Sequence, residues 1–194
     1  MHYSAPTSPT GTAVVIVADS GENAITVAPG ATAAVTAEAL PALLHSLPAG
    51  ILVTCFELPL AAVREAAWMA AGAGWEVILN PASATGPLPG TWPTGLILIP
   101  NAHELAALTG ITDVSQAATA LAESTRGTVI ATLGEQGAGH RLRRHGTGRV
   151  PAVSPVDTTG AGDAFNGTLA WCPCPPHLTH RGSPHCGCRG VGLQ

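Results

Sequence analysis

The sequence reads as an α/β protein built on a parallel sheet flanked by helices. Strand-like and helix-like segments alternate from about residue 36 to residue 133. The central strands are solid apolar runs, such as GILVTC at 50–55, which is the pattern of strands buried on both faces. Acids, Asn and Gly gather where those strands end, and in such sheets ligands sit beyond the carboxyl ends of the strands.

Each element has its own signal. Thr12 to Ala18 and Ala24 to Ala28 are β-rich runs separated by Asp19-Ser20-Gly21-Glu22-Asn23, a hairpin loop. Thr36 to Leu47 has helical apolar spacing, weakened by Pro41. Gly50 to Cys55 is a strand. Pro59 to Ala73 is a helix, with Pro59 suited to its first position. Trp75 to Leu79 is a strand, and a Pro/Gly loop runs from there to Gly95. Leu96 to Ile99 is a strand, and Asn101 to Thr109 a helix ended by Gly110. Asp113 to Ser124 is a further helix and Thr128 to Leu133 a further strand. His140 to Arg144 and Arg149 to Val153 are weaker strand candidates. GAGDAFNGTLA opens a last helix, which Pro173, Pro175 and Pro176 stop. The sequence has no internal repeat.

Composition narrows the function. The 194 residues suffice for one domain with a core. Charged residues make up 10%, against roughly 25% in ordinary domains. A net charge of -4 gives no cationic footprint for nucleic acid. All 8 cationic residues are Arg, and the absence of Lys excludes a Walker-type P-loop and a Schiff-base lysine. No apolar run approaches the ~20 residues of a membrane span, and the N-terminus does not read as a secretory signal. A soluble, cytoplasmic protein is the expectation, with no membrane partner.

The most informative stretch is DTTGAGDAF, Asp157 to Phe165. A Gly-Ala-Gly turn leading into a helix aims several amides one way, and with the helix dipole they form an anion site. An acid there repels a resting phosphate. It makes sense if Asp163 takes the proton of a hydroxyl attacking that phosphate. The plain alternative is a favourable first-turn acid beside loop glycines. Asn101 and Glu104 carry a similar choice, because Asn with Glu three residues on is also a capping box. Thr132-Leu133-Gly134-Glu135-Gln136-Gly137 is either a loop on which a nucleotide lies close to the main chain or an ordinary hairpin loop. Glu57, just past a strand, suits a hydroxyl-rich substrate or simple solvation. Cys55 reads as a buried core thiol.

From Trp171 to Gln194 the grammar breaks into WCPCPPHLTHRGSPHCGCRGVGLQ. Cys172, Cys174, His177, His180, His185, Cys186 and Cys188 offer a rival, a zinc-binding module, although Cys-x-Cys is not the usual knuckle spacing.

Taken in order, these motifs resemble the ribokinase-like (PfkB-type) carbohydrate kinases. Asp157 to Ala170 matches that family's carboxyl-side signature. PNAHELAALTGI looks like its Asn-x-x-Glu helix and TLGEQGAG like its nucleotide loop. The stretch from Thr10 to Thr36 looks like its lid strands and the segment after them. The resemblance covers about residues 10–170 and implies a Rossmann-type sheet with a partial β lid hairpin. It implies Asp163 as catalytic base and sugar contact, and Gly160, Ala161 and Gly162 with the Asp163 amide as anion hole. Asn101, the loop Thr132 to Gly137 and Gly162 would bind ATP. Glu104 would organise magnesium through water, Glu57 would help hold the sugar, and Asp157 and Thr159 would belong to a potassium-type monovalent-cation site. The lid hairpin would pair two subunits in a homodimer.

The family's first strands, its Gly-Gly motif and most of its sugar contacts have no counterpart, and the tail reads as a gene translated in the wrong frame. The expected division is a disordered 1–9, an incomplete kinase domain over 10–170 with 10–30 as lid remnant, and an aberrant, disordered 171–194. The expected activity is ATP-dependent phosphorylation of a sugar primary hydroxyl, D-ribose first. The alternative is an inactive remnant that at most binds nucleotide.

Overall fold

The computed structural model describes residues 8–17, 23–142, 144–148 and 158–171. The strand candidate at 149–153, Asp157 and the Cys/His tail lie outside the described residues. Two sheets form. The first is an antiparallel hairpin of β1 (Thr10–Val17) and β2 (Asn23–Gly30), with Thr12 opposite Ala28 and Val14 opposite Thr26. The second is six-stranded, in the order β3 (Ile51–Cys55), β4 (Glu76–Asn80), β5 (Ile97–Leu98), β6 (Thr128–Thr132), β7 (Ala138–Leu142), β8 (Arg144–Gly148). β3 to β6 run parallel, while β7 and β8 return antiparallel.

The helices are α1 (Leu40–Ser46), α2 (Leu60–Gly72), α3 (Ala102–Thr109), α4 (Val114–Thr125) and α5 (Ala161–Trp171). Their ends follow from side-chain chemistry. Asp113 caps α4 by accepting the Gln116 amide at 2.8 Å, and Gly110 closes α3 in the left-handed conformation at φ 72°. Pro59 sits one place earlier than expected, as the N-cap of α2 rather than its first helical residue.

The apolar runs divide between two faces by strict alternation. Val77, Leu79, Leu96, Leu98, Val129 and Ala131 face one side. They pack there against Val63, Ala67, Leu105, Leu108, Ala117 and Leu121 of α2, α3 and α4. Ile78, Ile97, Ile99 and Ile130 face the other side, where Phe165 and Leu169 of α5 meet them. Burial on both faces is why these strands show no polar alternation.

Two differences from the sequence reading have physical causes. β5 pairs as only two residues, although the Ile99 amide still reaches the Leu79 carbonyl at 3.0 Å and the Thr128 amide the Leu96 carbonyl at 2.8 Å. The second antiparallel strand falls at Arg144–Gly148. Two glycines and few β-branched residues hide it in the sequence. At the opposite edge of the sheet, β3 leaves Val53 43% exposed. The hairpin exposes Val14, Ile16, Ile25 and Val27, each more than half accessible.

Candidate active site at the strand ends

Four chain segments converge beyond the carboxyl ends of the parallel strands. β4 ends in Asn80, β5 leads to Asn101 through Ile99, β6 ends in Thr132, and α5 begins beside them. Together they enclose a cavity of about 190 Å³ lined by Asn80, Ala82, Ile99, Asn101, Glu104, Thr132, Gly160, Gly162, Asp163 and Asn166. A larger hollow, about 330 Å³, lies on the outer face of α4 among Ser115, Gln116, Thr119 and Glu123, away from the strand ends.

The floor is fixed by backbone pairing. Asn101 and Thr132 form a parallel bridge, and the Thr132 amide donates to the Pro100 carbonyl at 2.9 Å. Asn101 is the N-cap of α3. Its Oδ1 accepts the Glu104 amide at 2.8 Å, and Glu104 Oε2 accepts the Asn101 amide at 2.9 Å. The capping box is therefore real. It uses one oxygen of Glu104 and the amide oxygen of Asn101, so Oε1 and Nδ2 are not part of it. Burial raises the Glu104 carboxyl above the usual carboxylate range, and the hydrogen bond from the Asn101 amide offsets part of that.

The opposite wall is the start of α5. Gly160 turns the chain at φ 74°, a conformation that glycine adopts at no steric cost. The Ala161 amide donates to the Thr158 carbonyl at 3.2 Å and the Ala164 amide to the Gly160 carbonyl at 2.9 Å. The amides of Gly162 and Asp163 belong to the first turn, where a helix supplies no internal acceptor. A methyl built on Gly162 would find Asn80 Nδ2 as its nearest neighbour, 3.9 Å away, so no side chain crowds the turn there. Asp163 is exposed at its mouth.

The nucleotide-loop candidate follows β6. Gly134–Gln136 forms a short 3-10 turn, the Leu133 amide donates to the Gly137 carbonyl at 2.7 Å, and Gly134 and Gly137 both take positive φ. Of this loop only Thr132 lines the cavity, while Gly134, Glu135 and Gln136 are exposed. Glu57 lies outside the lining, exposed in the turn after β3. It belongs to the same neighbourhood, because the charges of both Glu57 and Asp163 act on Cys55 at the end of β3. Burial is the main reason that the Cys55 thiol is raised, and those two charges add to it. Thr159 is exposed just ahead of α5.

Sequence reasoning misses Asn80 and Asn166. In the sequence Asn80 reads as the first loop residue after a strand. Asn166 follows Asp163 by three residues, a spacing that puts both on one side of a helix. It is 5% exposed, and among the described residues its Oδ1 has no hydrogen-bond partner. The polar groups of the lining are carboxylates, carboxamides and a hydroxyl, with no Arg or His among them. Oxygen donors and an orphaned buried acceptor suit a hard divalent cation such as magnesium, which keeps part of its water shell. Among the described residues no group of three or more His, Cys, Asp and Glu is placed to hold a metal ion. No described helix is long and apolar enough to cross a membrane.

Comparison with known proteins gives the same architecture. The sequence model of the pfkB family carbohydrate kinase matches residues 1–172. Ribokinase from Schizosaccharomyces pombe is 34% identical over 172 residues, which is 83% of this chain and 54% of that protein. Ribokinase from Mus musculus is 33% identical, over 87% of this chain and 55% of its own length. The structure of Arabidopsis thaliana ribokinase complexed with ribose and ATP superposes with a TM-score of 0.71 at 31% identity. That match covers 84% of this chain and 56% of that one. The chain thus spans about half the length of the curated relatives it matches.

Proposed function

Because the chain belongs to the pfkB family of carbohydrate kinases, we propose that it carries the phosphoryl-transfer half of an ATP-dependent sugar kinase. The acceptor is a primary hydroxyl, with D-ribose the first choice because the relatives from Schizosaccharomyces pombe and Mus musculus are named ribokinases. The observation that carries this reading is the meeting of Asp163 with a backbone-lined helix N-terminus in one cavity with Asn101 and Glu104.

Asp163 accepts the proton of the attacking hydroxyl. The first-turn amides of Gly162 and Asp163, with the positive end of the α5 dipole, stabilise charge on the transferring phosphoryl group. Gly160 and Gly162 keep that approach clear of side chains, and Ala161 contributes backbone to the same turn. ATP lies along the end of β6, where Asn101, Thr132 and the loop Leu133, Gly134, Glu135, Gln136 and Gly137 receive it. Glu104 would hold the waters of magnesium, which when bound would offset charge on the phosphate oxygens. Glu57 reaches the sugar from the end of β3. Asp157 and Thr159 form the potassium-type site that shapes the turn. The exposed apolar residues of the β1–β2 hairpin suit pairing with a second copy of the chain.

A second reading has specific support. A cavity of about 190 Å³ is smaller than the 300–1,000 Å³ usual for ligand sites. On this reading the chain binds nucleotide without completing a sugar site, and positioning, which supplies much of phosphoryl-transfer catalysis, is lost.

Ribose-dependent ADP release by the purified chain, with Asp163→Asn alongside, tests the first reading. A general base contributes ~10²–10⁴-fold, so the variant should fall by at least that range with its fold intact. Full turnover in the variant rejects the assignment of Asp163. ATP uptake by calorimetry without any ribose-dependent release selects the second reading.

A further inference from the structure

One atom in the cavity wall is left unexplained by the roles above. Asn166 is nine-tenths buried and more, yet its Oδ1 accepts nothing from the described residues. Native proteins rarely leave a buried acceptor orphaned, because it forfeits its bonds to water. The side chain stands one turn along α5 from Asp163 and lines the same cavity as Asn80 and Glu104. None of the described residues supplies the missing donor, and the cavity that Asn166 lines is a space from which one can come.

Charge decides which donor fits. Two carboxylates, Glu104 and Asp163, line the same small space without a cationic side chain among the lining residues. A sugar hydroxyl gives one proton and leaves that charge uncompensated. A hydrated divalent cation offers several water protons and offsets both carboxylates. Magnesium keeps several waters in sites of this kind, so neutral oxygens are as useful to it as charged ones.

We propose that Asn166 belongs to the seat of the divalent cation, its side-chain oxygen accepting a hydrogen bond from a metal-bound water beside Glu104. The proposal rests on the kinase reading and adds a residue to it. Outer-shell partners of this type typically change metal affinity by about 10–100-fold.

The test is manganese binding to the full chain, followed by electron paramagnetic resonance with and without a non-hydrolysable ATP analogue. Asn166→Leu should weaken Mn²⁺ about 10-fold or more, while the Tm holds or rises because the orphaned acceptor is gone. Asn166→Asp should keep or tighten binding. Should the leucine variant not fold, Asn166→Ala takes its place in the comparison with Asn166→Asp. The proposal is overturned if the wild-type chain binds no Mn²⁺, or if its affinity ignores residue 166. It is equally overturned if the Leu and Asp variants lose binding alike together with their Tm, the mark of a merely structural residue. Turnover is a separate readout. Mn²⁺ binding that follows residue 166 in a chain that never phosphorylates ribose leaves this inference standing and the kinase reading alone rejected.

Discussion

Asn101 and Glu104 clasp each other across the first turn of α3, each accepting the other's amide, at 2.8 and 2.9 Å. The clasp satisfies two donors that a helix start leaves open. It also holds both side chains at the cavity wall. From sequence the pair reads as a choice between capping and ligand binding. In the folded chain one set of atoms caps and another remains for a ligand.

Removing the charge of Glu104 separates the two jobs. Burial raises its folded-state pKa, so its contribution to stability is fully present below the unfolded value and is lost as pH rises through the folded value. At neutral pH the ionised group is therefore a cost. Glu104→Gln keeps an oxygen for the Asn101 amide, so its Tm at pH 7 should equal or exceed the wild type. The difference should shrink as the pH falls toward ~4, the ordinary glutamate range. Affinity for Mg²⁺ with ATP should nevertheless drop. A Tm at pH 7 several degrees below wild type would show that the charge itself supports the cap.

Asn101 gives the converse. Asn101→Ala removes the cap and should cost about 1 kcal/mol, read as a lower urea midpoint with an unchanged slope. Asn101→Asp keeps an acceptor at the helix start and should hold the stability. It adds a third carboxylate to the cavity, so ATP should bind more weakly. Equal stability of the Ala and wild-type chains would contradict the capping geometry.

How much is legible in the sequence depends on the range of each interaction. Asp113, Asn101 and Gly110 are legible as helix ends because capping acts within four residues. The parallel sheet is legible because ILVTC and LILI lack polar alternation, and Ile78, Ile97 and Ile130 do meet α5 on the second face. Two-residue β5 is not, since its length depends on where β4 and β6 lie. Asn80 is not, since a lone Asn at a strand end has no spacing pattern, and Asn166 offers only its three-residue spacing from Asp163. Only folding sets them across one cavity. The role proposed for Asp163 rests on chemistry, an acid placed where a resting anion would reject it, and the structure sets that acid in the cavity lining. The role of Glu57 rests on resemblance, and the structure sets it near Cys55 rather than in the cavity wall.

Cys55 reports on this neighbourhood. Its thiol is raised first by burial and further by the charges of Glu57 and Asp163. Because the thiolate is the nucleophile, alkylation of Cys55 at pH 7, followed by peptide mass spectrometry, should be slower than in the unfolded chain and should accelerate with pH. Asp163→Asn removes one of the charges and should speed it. Unchanged rates in that variant would place Asp163 farther from β3 than the structure does.

The cradle itself can be tested by adding one carbon at a time. Gly162 has room for a methyl, its nearest neighbour being Asn80 Nδ2 at 3.9 Å, and it lies inside α5. Alanine gains up to about 1 kcal/mol of helix preference over glycine, so Gly162→Ala should unfold no earlier than wild type. The methyl stands in the cavity wall, however, and ATP affinity or turnover should fall. Gly160 meets no obstacle within 4 Å but takes φ 74°, where any side chain is strained. Gly160→Ala should therefore lower the Tm as well as the activity. The two glycines are two residues apart and should lose function together while moving stability in opposite directions. If Gly162→Ala gained stability and kept full ATP affinity, the amides of this turn would not be the phosphate site.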